Sequence, residues 1–124
     1  MKEIQAIATK LAGLPFADKI AVFGSLAKGS AAPGDIDLFV DLSGEAFVDD
    51  KQLSPYWVLI QIARKHYGLV DPFLRFKNAL FVRNSEASGW IRATNVRALK
   101  KAMDTDALPL TTILQRINEL SSEK

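Results

Sequence analysis

The stretch from Val22 to Val40 constrains this chain more than any other part of it, because it joins an apolar strand pattern, a turn of small residues and two closely spaced acids. The residues read Val-Phe-Gly-Ser-Leu-Ala-Lys-Gly-Ser-Ala-Ala-Pro-Gly-Asp-Ile-Asp-Leu-Phe-Val. Side chains alternate between the two faces of a strand, so Asp35 and Asp37 are predicted to share one face. Aspartate is depleted in strands, so two of them in the middle of one strand indicate a function.

The chemistry of this stretch favours binding of a metal ion and a phosphate. Two neighbouring carboxylates repel each other unless a cation neutralises them, and their oxygens suit Mg²⁺ with substrate phosphates completing its coordination. Upstream, Gly24 and Ser25 end an apolar strand and open a turn or short helix, whose backbone N–H groups can hold an anion. Together these features are typical of phosphoryl or nucleotidyl transfer. The alternative is an ordinary Gly-Ser turn followed by two aspartates that cap an exposed strand edge.

The same residues resemble the signature of the DNA polymerase beta-like nucleotidyltransferase superfamily, in which an apolar residue and Gly-[Gly/Ser] precede, after a spacer, alternating acidic and apolar residues. Here nine residues separate Ser25 from Asp35. The run Gly24 to Ala31 is similar to the Gly-Ser-x-Ala-Arg-Gly-[Ser/Thr]-Ala run of the small prokaryotic minimal nucleotidyltransferases. Lys28 stands where that group usually has arginine, which keeps the charge but loses the bidentate guanidinium. The specific match covers residues 20 to 41.

The resemblance implies an α/β (α+β) fold, a small mixed β-sheet with helices packed mainly on one side, as a single nucleotidyltransferase-like domain over residues 1–124. It implies an enzyme that moves a nucleoside monophosphate, with AMP from ATP as the first expectation, onto a hydroxyl acceptor. Asp35 and Asp37 would bind two Mg²⁺ ions when the nucleotide is present. Gly24, Ser25 and Lys28 would bind the nucleotide phosphates.

The resemblance also assigns a role to Asp71. In this superfamily a third carboxylate lies on a later strand beside the first pair, flanked by apolar residues. Gly-Leu-Val-Asp-Pro-Phe-Leu, residues 68 to 74, offers that setting. Asp71 would bind the metal and accept the proton of the attacking hydroxyl. Pro72 departs from the usual pattern because proline removes a ladder donor and favours a sheet edge or a bulge, and an ordinary Asp-Pro turn is the alternative.

The biological partner is implied only by family resemblance. Small bacterial and archaeal members commonly pair with a helical toxin of the HEPN class and act as antitoxins that adenylylate it. Two other hypotheses stay open: a non-catalytic module that binds a nucleotide or a partner, and an antibiotic-modifying nucleotidyltransferase. Enzymes of the latter kind usually carry an additional acceptor-binding region, for which 124 residues leave little room. A homo-oligomer also stays open.

Composition excludes several other classes. The chain has no cysteine and a single histidine, His66, which excludes disulfides and thiolate sites and argues against zinc. The net charge is only +2, and the densest basic patch, Arg92, Arg97, Lys100 and Lys101, is typical of a solvated helix face, so nucleic-acid binding is not indicated. No apolar run approaches a membrane span and the N-terminus lacks a signal-peptide core, so a cytoplasmic protein without membrane contact is expected.

Hydrophobic spacing and turn residues predict the remaining elements. Helices are expected over residues 2–12, from Pro55 to about Tyr67, after Thr94, and from Pro109; strands are expected over residues 19–23, 35–41, 69–76, 78–83 and 90–93. Ser54 and Thr94 are the predicted helix N-caps.

Three further residues have weaker functional signals. Asp41 shares a strand face with Asp37, but it lies four residues further along the chain. Trp57 is predicted to belong to the core. Trp90 is predicted either to pack or to stack on a nucleobase.

Overall fold

The computed structural model describes residues 2–29, 34–84 and 89–122. Its strands are β1 (Ile20–Phe23), β2 (Ile36–Leu42), β3 (Val70–Phe76), β4 (Leu80–Asn84), β5 (Gly89–Arg92) and β6 (Leu108–Pro109). Its α-helices are α1 (Lys2–Ala12), α2 (Gly24–Ala27), α3 (Trp57–Lys65), α4 (Arg97–Asp106) and α5 (Leu110–Ser122), and 3-10 helices cover Ala17–Lys19 and Asp50–Tyr56. None of the helices in these ranges has the length and apolar character needed to cross a bilayer.

The strands form one mixed sheet in the order β5-β4-β3-β2-β1-β6. β2 and β3 are parallel, and the other neighbouring pairs are antiparallel. Parallel neighbours need a crossover connection, which α3 supplies between β2 and β3. The two strands predicted to carry the acids therefore lie side by side in the middle of the sheet.

The two faces of the sheet carry different cores. On one face, the alternate apolar side chains of β2 pack with α1, α3 and α5; this main core includes Ile7, Leu38, Leu59, Ile113 and Ile117. On the other face lies a smaller core made of Phe23, Phe39, Phe73, Leu80 and Met103. Met103 belongs to α4, so α4 covers this second face. The prediction of a mixed sheet with helices mainly on one side is confirmed, with α4 as the element on the opposite side.

The segment before α3 differs from its prediction. Ser54 is not a helix N-cap, because a 3-10 helix begins earlier and includes Pro55. Asp49 caps that helix: its side chain accepts a hydrogen bond from the backbone N–H of Lys51 at 2.9 Å. The side chain of Gln52 accepts from the backbone N–H of Asp49 at 3.1 Å and completes a capping box.

The chain after β5 also differs in two places. Thr94 is not the N-cap of α4, which begins at Arg97 with Val96 as its N-cap, after Asn95 has adopted a left-handed φ of 56°. Pro109 does not start the last helix, because Leu108–Pro109 pairs with β1 as the short strand β6. Such a two-residue strand is set by its neighbour and leaves no pattern in the sequence.

Candidate active site

Strand register brings two of the predicted acids together. In the parallel pairing of β2 and β3, Asp37 is aligned directly with Asp71, and the backbone N–H of Ile36 donates to the carbonyl of Leu69 at 2.8 Å. Asp35 immediately precedes β2. Because side chains alternate along each strand, Asp37 and Asp71 lie on the face that carries Phe39 and Phe73 rather than on the main-core face.

The positions of these acids in the sheet exclude two alternatives: an exposed strand edge at Asp35 and Asp37, and an ordinary Asp-Pro turn at Asp71. β2 lies between β1 and β3, so the Asp-Ile-Asp segment does not cap an exposed sheet edge. Asp71 lies within β3, so the Asp-Pro pair is not a turn. β3 is itself an interior strand, so of the two positions predicted for Pro72, a sheet edge or a bulge, an outermost strand is excluded. Pro72 is aligned with Leu38, and pairing with β4 starts one residue later at Phe73, so its missing N–H falls where β4 has no registered partner.

Three carboxylates interact electrostatically at this place. Burial, followed by repulsion from Asp35 and then from Asp71, raises the pKa of Asp37 from 3.8 to about 6. The pKa of Asp71 is also raised, first by desolvation and to a lesser degree by Asp35, while the Arg83 guanidinium opposes the rise. Asp71 remains open to solvent on one side, but the surrounding protein excludes enough water to disfavour its charge.

This donor set suits a hard cation that is shared with a substrate. All three predicted ligands are carboxylates, and their negative charges repel one another. A divalent cation bound between them would neutralise this repulsion. In the described ranges, however, no three acidic or histidine side chains are already arranged around a common metal position. A hard cation held by these carboxylates would therefore need further oxygen ligands, such as substrate phosphates, to complete its coordination.

The Gly-Ser turn lies against Asp37. Phe23, the last residue of β1, is aligned with Asp37, so the chain turns into α2 beside this carboxylate. Gly24 adopts a φ of 76°, and a Cβ atom on it would lie 2.5 Å from Oδ2 of Asp37. Only glycine satisfies both conditions. Ser25 follows in the first turn of α2 and is exposed.

The replacement Gly24→Ala is expected to lower nucleotidyl transfer about 100-fold, because the methyl group displaces the Asp37 carboxylate and misplacements near 1 Å have effects of that size. Gly68→Ala is the matched control, since Gly68 has a φ of 82° but no atom within 4 Å of a Cβ. Both variants should lose roughly 1–2 kcal/mol of folding free energy to the left-handed backbone, measured by urea unfolding. Equal transfer rates in the two variants would contradict the contact between Gly24 and Asp37.

Lys28 contacts α4. Its Nζ lies 3.5 Å from a carboxylate oxygen of Asp106, while most of the Lys28 side chain is exposed. Arg75 of β3 forms a second ion pair with α4, at 2.6 Å from Asp104. The Lys28 ammonium, which is predicted to bind phosphate, therefore pairs with α4, and α4 lies on the same face of the sheet as the acids. Ser30 and Ala31, the last two residues of the run from Gly24 to Ala31, lie outside the described residues.

Sequence reasoning missed Arg83 on β4. Its positive charge acts on Asp71, and its Nε is buried without a hydrogen-bond partner in the described part of the chain. No motif pointed to Arg83, because its place follows from hairpin pairing and not from spacing along the sequence.

The structure separates three other candidates from the site. Asp41 is exposed, and its Oδ1 accepts from the backbone N–H of Ser43 at 3.1 Å and from the Ser43 hydroxyl at 2.6 Å, so it closes a turn. Trp57 is 45 % exposed, so the prediction that it belongs to the core is wrong. Trp90 is half-buried on the outermost strand β5.

The chain belongs to the nucleotidyltransferase domain family, whose model matches residues 2–91. The match spans the chain from α1 into β5, and so includes all three acids and the Gly-Ser turn; α4, β6 and α5 follow it. This confirms the resemblance and supports a general nucleoside monophosphate transfer activity. No curated protein and no solved structure matches the chain.

The raised pKa of Asp37 predicts a pH dependence of stability without divalent cations. The folded-state pKa of about 6 lies above the ordinary 3.8, so the folded protein holds this proton more tightly than the unfolded chain. The contribution of Asp37 to stability is therefore fully present below pH 3.8 and is lost as pH rises toward 6. Asp37→Asn should remove this part of the decline, measured by urea unfolding between about pH 4 and pH 7. Asp41→Asn is the control, because it removes an exposed carboxylate from the same strand. Identical pH profiles of the unfolding free energy for wild type and Asp37→Asn would contradict the prediction.

Proposed function

We propose that this protein is a Mg²⁺-dependent nucleotidyltransferase that moves AMP from ATP onto a hydroxyl acceptor. The observation that carries the proposal is the register of Asp37 with Asp71, with Asp35 close enough to influence both and the Gly-Ser turn against Asp37. Family membership supplies the reaction class. The choice of ATP as the nucleotide, of Mg²⁺ as the metal and of a hydroxyl as the acceptor is proposed.

The proposed reaction is an in-line displacement at the α-phosphorus of ATP. The acceptor oxygen forms a bond to phosphorus, the bond from the α-phosphorus to the bridging oxygen breaks, and pyrophosphate leaves. Mg²⁺, when bound, would neutralise charge on the phosphates and orient them for this displacement. Asp35 and Asp37 hold the metal, and Asp71 accepts the proton of the attacking hydroxyl.

The phosphates are proposed to lie over the start of α2. The hydroxyl of Ser25 and neighbouring backbone N–H groups would donate to the β- and γ-phosphates. Lys28 would contribute by turning its ammonium, which lies 3.5 Å from the Asp106 carboxylate, toward a phosphate. A triphosphate carries several negative charges and competes well for it.

The acceptor is proposed to be a protein hydroxyl on a HEPN-class toxin, with this chain as the antitoxin. Support for this finer assignment comes from the motif run at Gly24 to Ala31, which is similar to that of the minimal nucleotidyltransferases. The main competitor is a module of the same fold that binds a nucleotide without transferring it. The two differ in whether a covalent product forms.

A labelling experiment tests the proposal. The purified chain is incubated with Mg²⁺, cellular protein or RNA, and ATP labelled either on the α- or on the γ-phosphate. Transfer of the α-label alone is expected, with none after chelation by EDTA. Transfer of the γ-label would show a kinase instead, and ATP binding without any transfer would favour the binding module.

A further inference from the structure

A cavity of about 600 Å³ lies between the 3-10 helix Asp50–Tyr56, the start of α3 and the outer hairpin of β4 and β5. We call it the hairpin cavity; its aromatic walls are Phe47, Trp57, Phe81 and Trp90. Phe81 is aligned with Leu74 and belongs to the main core, whereas Asp37 and Asp71 lie on the opposite face of the sheet. The hairpin cavity is therefore separate from the candidate active site.

The walls of the hairpin cavity leave apolar surface open to solvent. Trp57 is 45 % exposed and Ile91 is 49 % exposed, and both line it. The rings of Phe47 and Phe81 pack against each other with their centroids 4.7 Å apart and their planes tilted by 60°. A volume of this size bounded by aromatic faces suits a small planar ring system, because bases stack on such faces.

Hydrogen bonds hold one wall of the hairpin cavity in place. The side chain of Asn78 accepts from the backbone N–H of Phe47 at 2.6 Å and donates to its carbonyl at 3.2 Å. The side chain of Gln52 accepts from the N–H of Val48 at 2.6 Å and donates to the carbonyl of Ala46 at 3.0 Å. The loop that presents Phe47 is therefore fixed by side chains, and this wall of the cavity is preformed.

The hairpin cavity has charged groups of both signs. Arg92 donates to the carbonyl of Asn78 at 3.1 Å, and its guanidinium lies 5.9 Å from the centre of the Phe47 ring. These two contacts orient the guanidinium and leave further N–H groups for an anion. Asp50 and Ser54 also line the cavity and offer oxygen acceptors to an amino group.

We propose that the hairpin cavity binds a mononucleotide with an amino-substituted base, such as AMP. The base would stack on the aromatic walls, the phosphate would pair with Arg92, and the exocyclic amino group would donate to Asp50 or Ser54. An aromatic carboxylate such as benzoate has no amino group to donate a hydrogen bond, and the Asp50 carboxylate would repel its charge. This inference does not depend on the transferase activity, since it involves none of the three acids.

Tryptophan fluorescence tests the proposal, because the chain has two tryptophans and both line the hairpin cavity. Trp57→Phe leaves Trp90 as the only reporter. Measurements use the full chain carrying Asp35→Asn and Asp37→Asn, with EDTA present, so that the candidate active site cannot bind nucleotide through a metal. AMP should give a saturable change and bind roughly tenfold more tightly than adenosine, and also more tightly than benzoate or inorganic phosphate.

Arg92→Gln should abolish the preference for AMP over adenosine, while Arg64→Gln, which removes an exposed arginine in the last turn of α3, should preserve it. If Arg92→Gln also loses adenosine, Arg92→Lys decides the matter: a retained preference for AMP supports the phosphate contact, and a lost preference overturns it. Equal affinities of the starting protein for AMP and adenosine, or no saturable change with AMP, would overturn the proposal.

Discussion

Replacing both Asp35 and Asp37 with asparagine is expected to abolish nucleotidyl transfer and to leave the folded protein at least as stable as the wild type. Transfer should vanish because asparagine amides cannot replace two anionic ligands of a divalent cation. Stability should hold or rise because burial and mutual repulsion already disfavour the charge of Asp37, whose pKa is raised to about 6. Transfer of α-labelled AMP and urea unfolding at neutral pH measure the two effects.

Asp41→Asn is the matched control for the double variant. Asp41 lies on the same strand and faces the same side, but its carboxylate bonds to Ser43 and is exposed. Its replacement should cost at most about 1 kcal/mol of stability and leave transfer unchanged. A folded Asp35→Asn, Asp37→Asn variant that still transferred AMP would overturn the mechanism.

The second large effect is expected from Asp71→Asn, which should lower transfer by roughly 100- to 10,000-fold while ATP affinity changes little. The separation follows from the proposed roles: Asp35 and Asp37 hold the metal that accompanies the nucleotide, whereas Asp71 acts on the acceptor hydroxyl. Calorimetric titration with ATP and Mg²⁺ measures binding, and single-turnover transfer of labelled AMP measures the chemical step. Asp104→Asn serves as the control, because it removes an acid that pairs with Arg75 away from the three carboxylates.

Two outcomes would contradict this role of Asp71. Full transfer by Asp71→Asn would show that another group accepts the proton. Loss of ATP binding together with transfer would show that Asp71 holds the nucleotide-associated metal, although its alignment with Asp37 would still place it in the site.

Local sequence was sufficient to predict the elements around the Gly-Ser turn. Helix α1 has an apolar face at helical spacing, and β1, the turn and β2 follow from short-range patterns and the conformational freedom of glycine. The separation of Asp37 from the apolar side chains of Ile36 and Leu38 follows from strand alternation alone. These features depend on residues close in the chain, so a single sequence contains them.

Tertiary structure decided what lies beside those elements. The alignment of Asp37 with Asp71, the approach of Arg83 and the placement of α4 over the acidic face all depend on pairings between distant segments. The same holds for β6, which exists only because β1 is beside it, and for the exposed ring of Trp57. Local spacing fixes which face of a strand a side chain occupies, but the neighbour it meets there is set by packing of the whole chain, where burial of apolar surface outweighs local preference.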